Sequence, residues 1–172
     1  MISGAVCVQA AIKKWKGVEH FEQSGFGIYN EYMGKYQFDY LKNNIDLLQP
    51  HFLSEYGMDL ASELESNKNS YITYHKLITV PMNGYKDAWD YVRKAAPYDR
   101  IPMIKTPTMF LNSINDPFMG EKVIDYDIFK KNPNVVLATN KYAGHMGYHE
   151  QLFSMKQWHG IPSLDFLETL RD

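Results

Sequence analysis

Apolar positions follow two different rhythms along this chain. Gly4 to Ala10 (Gly-Ala-Val-Cys-Val-Gln-Ala) is a short, nearly continuous apolar run. It predicts a strand buried on both faces, as in parallel sheets, with an edge strand of a small complete fold as the alternative. From Phe26 to Phe52 the apolar residues recur every three or four positions, which predicts a helix. Phe26, Tyr29, Tyr32, Tyr36 and Tyr40 make one aromatic stripe, extended by Leu41, Ile45, Leu47 and Leu48. Pro50 is expected to end or kink that helix. Ser54 to Leu64 predicts a further short helix, and Glu65 to Ser70 is a polar linker. Ile72 to Val80 is ambiguous, Pro81-Met82-Asn83-Gly84 predicts a turn, and Tyr85 to Ala96 predicts a helix with Ala88, Tyr91, Val92 and Ala95 on one face.

The last third returns to strands. Thr108 to Asn112, introduced by Pro107, predicts a buried strand that ends in the polar turn Ser113-Ile114-Asn115-Asp116-Pro117. A short helix is expected over Ile124 to Lys131, then a turn at Asn132-Pro133-Asn134 and a second buried strand over Val135 to Thr139. Ser163 to Leu170 predicts a closing helix with Leu164, Phe166, Leu167 and Leu170 inward. Apolar strands alternating with helices imply an α/β fold with a parallel sheet.

Composition narrows the chemistry. The 172 residues carry 18 Lys+Arg against 20 Asp+Glu, so no basic field exists to hold a phosphate backbone and nucleic acid is excluded as a partner. The single Cys7 excludes an internal disulfide framework and a cysteine-rich metal centre, and reads as a small buried strand residue. No apolar run approaches the roughly 20 residues of a membrane-spanning helix, and no secretory leader is visible after Met1, so the expectation is cytoplasmic by default, with a membrane anchor upstream as the alternative. Lys13, Lys14 and Lys16 read as a solvated face.

Ligands and catalytic groups of open parallel sheets collect beyond the carboxyl ends of strands. Two such ends here carry Asp116 and His145, and adjacent strands would bring both to one rim. There a carboxylate can accept the imidazole Nδ1–H and fix its tautomer. Taken singly, Asp116 is also an ordinary Asp-Pro turn residue and His145 a loop histidine between glycines. His145, His149 and Glu150 do not form a zinc-protease motif, because Met146 follows His145 where that motif needs Glu.

Several segments in fixed order carry a resemblance to a known family. They are Met82-Asn83-Gly84-Tyr85 with Asp90-Tyr91, Ile104 to Thr108, and Asn115-Asp116-Pro117-Phe118. Asn132 to Val135, Gly144-His145-Met146-Gly147-Tyr148 and Trp158 complete the set. The chain resembles the C-terminal part of the α/β-hydrolases, in the ester hydrolase and lipase branch that includes the YheT-type proteins. That resemblance implies a sheet strand over residues 1–11, a helical cap over 12–80 and the C-terminal part of the hydrolase core over 81–172. It implies three parallel strands, Asp116 as the triad acid, His145 as the general base and no cofactor. An ester or acylglycerol would be the substrate, and the aromatic stripe would be cap packing or a wall for an acyl chain. The chain departs from the family at Asn115, where Asp is usual, at Ala143, where Gly is usual, and at Ala11 to Lys14.

The family's nucleophile is a serine in Gly-x-Ser-x-Gly, and no serine of this chain has that setting. The expectation is therefore the last half or so of a larger hydrolase domain, with the elbow upstream and no activity alone. A non-catalytic binding or assembly module is the competing class. The unpaired edge beside Gly4 to Ala10 is expected to drive self-association.

Overall fold

The computed structural model describes residues 2–150 and 155–171. In chain order the main elements are β1 (Ala5–Val8), α1 (Lys14–Gln23), α2 (Ile28–Asn43), α3 (Ile45–Tyr56), α4 (Leu60–Ser66) and α5 (Tyr71–Tyr74). There follow α6 (Val80–Asn83), α7 (Ala88–Lys94), β2 (Thr108–Ser113), α8 (Tyr126–Phe129), β3 (Val135–Asn140) and α9 (Gly160–Glu168). The chain divides into two compact units. One holds the residues up to His20 together with those from Ala96 onward, and the other is Phe21–Ala95.

The first unit is built on a three-stranded parallel sheet in the order β1-β2-β3. Side chains alternate across a strand, so its two faces feed two cores. Cys7, Phe110 and Leu137 lie in register and pack with Ile12, Ile101, Ile128, Phe129 and Val135. Val8, Leu111 and Ala138, one residue on, face the other way and meet Ala143, Tyr148 and Trp158. The expected strands are present in the expected order, but only the central β2 is buried throughout; β1 is half-buried and Val136 of β3 is exposed. Burial pushes the Cys7 thiol up from its ordinary value, which leaves it protonated at neutral pH. In α9, Leu164 is exposed rather than inward.

The second unit is helical, with a core of Phe38, Leu41, Phe52, Leu60, Leu64, Leu77 and Ile78. Here the aromatic stripe of α2 is a correction. Tyr29, Tyr32, Tyr36 and Tyr40 are exposed, and α2 buries the opposite face, Gly34, Phe38 and Leu41. The side chain of Phe26 lies outside what the structure describes. Helix breaks also fall elsewhere than expected. The chain bends at Asn44 and stays helical through Pro50; the stop comes at Gly57, left-handed at φ 61°, before Asp59 caps α4 through the Ser62 N–H. The ambiguous stretch is one helical run from Tyr71 to Asn83, in which residues 75–79 take the wider π spacing and the Val80 N–H reaches back to the His75 carbonyl. Asp87 caps α7 through the Asp90 N–H, so that helix begins at Ala88 rather than Tyr85.

Gly34 is the tightest position in this unit. A Cβ built there would sit 2.6 Å from the backbone of Asn69 and Ser70. Replacing a mid-helix glycine by alanine ordinarily stabilises a protein. At Gly34 the sign is reversed: Gly34→Ala should destabilise by about 2 kcal/mol through overpacking, measured by urea unfolding.

Candidate active site

The carboxyl ends of all three strands meet at one cluster. Past β2 the chain turns through Asn115 and Asp116, past β3 it turns through Ala143 to His145, and past β1 it reaches Gln9. His145 and Asp116 are brought together: His145 Nδ1 and Asp116 Oδ2 are 2.8 Å apart. The Asp116 side chain has 0% exposure and that of His145 35%. An ionised carboxylate only accepts, so Nδ1 carries the proton and Nε2 of the neutral ring is left as a base. The Phe118 ring lies against the imidazole at 4.7 Å.

Asp116 is held from every side. Its Oδ1 accepts the backbone N–H of Phe118 at 2.7 Å and of Met119 at 3.1 Å, and its own carbonyl accepts the Gly120 N–H. This is the turn that the Asp-Pro sequence favours, with the side chain replacing a backbone acceptor. Oδ2 accepts from Gln9 Nε2 at 2.9 Å as well as from His145.

The histidine loop is fixed by its neighbour in the β2 turn. Asn115 Oδ1 accepts from the Ala143 N–H at 3.1 Å, the Gly144 N–H at 3.0 Å and the Ser113 hydroxyl at 2.7 Å. Gly144 takes φ 60°, a conformation that glycine adopts without steric cost. Beyond His145, Tyr148 is fully buried at φ 46°, donates its hydroxyl to the Leu111 carbonyl and its N–H to the Ala143 carbonyl. Burial and the nearby Asp116 carboxylate push its phenol up to about 12.

Gln9 has no signal in the sequence beyond being the one polar residue of an apolar run, and its three partners are all more than 100 residues away. Glu150, next to His149, pairs with Lys156 at 2.9 Å. Among the described residues, no group of three or more His, Cys, Asp or Glu could hold a metal ion. Among them also, no helix is long and apolar enough to cross a membrane.

The chain is 35% identical over 99 residues to a monoacylglycerol lipase of Saccharomyces cerevisiae, a match covering 58% of the chain and 22% of the relative. It is 29% identical over 113 residues to the human phospholipase ABHD3, covering 66% of the chain and 27% of that protein. It is 32% identical over 75 residues to the putative esterase YheT of Escherichia coli, covering 44% and 22%. The chain thus spans about a quarter of the length of the curated relatives it matches. No family model and no solved structure matches it. The parallel sheet and these relatives define a class, the α/β-hydrolases, of which the chain carries part of the fold. Its similarity to these esterases and lipases is consistent with a match over the C-terminal part of that fold.

Tyr148 ties this site to alkaline stability. An unfolded tyrosine ionises near pH 10, whereas the folded phenol resists ionisation until about 12. Its contribution is therefore complete below about pH 10 and is lost as pH rises through 12, at up to about 1.4 kcal/mol per pH unit. Unfolding free energies measured across that window should fall less steeply in Tyr148→Phe than in the parent chain.

Proposed function

We propose that this chain supplies the acid–base half of a serine-type carboxylic ester hydrolase acting on acyl esters of the acylglycerol or phospholipid kind. The observation that carries the reading is the hydrogen bond between His145 Nδ1 and the buried Asp116 Oδ2 at the carboxyl edge of a parallel sheet. The relatives, a monoacylglycerol lipase and a phospholipase among them, support the substrate class.

In the proposed reaction a serine hydroxyl attacks the ester carbonyl while His145 Nε2 takes its proton. Asp116 keeps the imidazole in the right tautomer and stabilises the imidazolium. The C–O bond to the alcohol then breaks as His145 returns the proton to the leaving oxygen. A water molecule, deprotonated by the same nitrogen, releases the acid and regenerates the serine. The 172 residues contain no Gly-x-Ser-x-Gly, so the nucleophile belongs to polypeptide outside them and these residues alone do not turn over esters.

Two measurements test this. A fluorophosphonate probe should label none of the serines of the 172-residue chain; specific labelling of one of them would overturn the division of labour. In a polypeptide that joins these residues to a Gly-x-Ser-x-Gly segment, hydrolysis of an acylglycerol should fall about 10⁴-fold or more in His145→Ala, and substantially in Asp116→Asn. Turnover that survives His145→Ala would remove it as the base.

We propose further that the outer edge of β1, which pairs with β2 on one side only, takes up another strand. Sedimentation of the 172-residue chain should then show association. A monodisperse monomer would contradict it.

A further inference from the structure

We propose that Gln9 is a positioning residue for the Asp116–His145 pair, setting the imidazole tautomer from a strained backbone position. The inference rests on reading that pair as acid and base, and it adds a residue that acts through them.

Gln9 follows β1 immediately and is 6% exposed. Its φ of 52° lies in the left-handed region, where a residue with a Cβ is disfavoured. Glycine would fit that backbone better, so the side chain is what the position retains at a cost. The amide uses all its polar groups on the site. Nε2 donates to Asp116 Oδ2 at 2.9 Å and to the Gly144 carbonyl at 2.7 Å, while Oε1 accepts the Ser113 N–H at 2.6 Å. The opposite amide orientation would turn Oε1 toward two acceptors and Nε2 toward a donor, so the partners themselves define which end is which. The Gln9 N–H also bonds the Leu111 carbonyl at 2.8 Å, which fixes the residue to β2.

The consequence is geometric. One NH₂ group holds both the oxygen that accepts the histidine proton and the carbonyl of the residue just before that histidine. Donor and acceptor of the Nδ1–Oδ2 hydrogen bond are thereby set from a single point. Without Gln9, Oδ2 would lose one of its two donors and the Gly144 carbonyl would lose this partner, so carboxylate and imidazole would no longer be held in register for the Nδ1–Oδ2 hydrogen bond that selects the Nδ1-protonated form.

The test needs no catalytic turnover and uses the full 172-residue chain. Histidine ¹⁵N–¹H correlation spectra at a pH where the ring is neutral report which nitrogen bears the proton. In the parent chain His145 should be protonated on Nδ1; protonation on Nε2 would overturn the acid–base reading and this inference with it. With that established, Gln9→Met keeps length and volume but removes both donors. The share of the Nδ1–H form should then fall and that of the Nε2-protonated form rise, with backbone amide signals of β1, β2 and β3 retained. An unchanged tautomer would reduce Gln9 to packing and leave the acid–base reading standing. Should Gln9→Met not fold, the parent chain still decides. The Gln9 side-chain amide protons should shift with the same midpoint as His145 titrates, and their indifference to that titration would overturn the proposal.

Discussion

A carboxylate fully removed from water must have its charge met by donors, and Asp116 imposes that condition on everything around it. Four donors meet it: the Phe118 and Met119 N–H groups on Oδ1, and Gln9 and His145 on Oδ2. They come from three different parts of the fold. The Asp-Pro turn supplies the first two, β1 delivers Gln9 and the loop after β3 delivers His145. The parallel register is what makes this convergence feasible, since it carries the ends of β1, β2 and β3 to one rim.

Asn115 shows how that condition reaches the next residue. The side chain beside Asp116 in this turn is a neutral amide. Its Oδ1 accepts three hydrogen bonds, two of them from the backbone of the histidine loop. The acceptor function is therefore met by a neutral amide, and no second negative charge is placed next to the buried Asp116.

The strands and the Asp116–His145 pair are legible in the sequence because their signals are local. Each residue follows an apolar run and sits in a turn with Pro or Gly close by. The helical unit is less legible for a physical reason. A three-to-four spacing identifies a helical face but not the side on which it is buried. In α2 the tyrosine face is the richer one, yet the helix turns Gly34, Phe38 and Leu41 inward, because only a glycine fits against Asn69 and Ser70. Gln9 is the least legible: neither a positive φ nor a partner 107 residues away leaves a mark on the local pattern.

The helical unit is an insertion between β1 and β2, neighbours in the sheet though about 100 residues apart along the chain. Closing a loop that long costs little more than closing a short one, since the entropy grows only logarithmically, by about 0.6 kcal/mol for each doubling. The insertion can therefore lengthen, shorten or change its surface at small expense to the sheet, while Gln9, Asp116 and His145 are tied to one another by hydrogen bonds of 2.8 to 2.9 Å. Tolerance of length and the demands of the chemistry are thus separated within one polypeptide, the first in Phe21–Ala95 and the second at the strand ends.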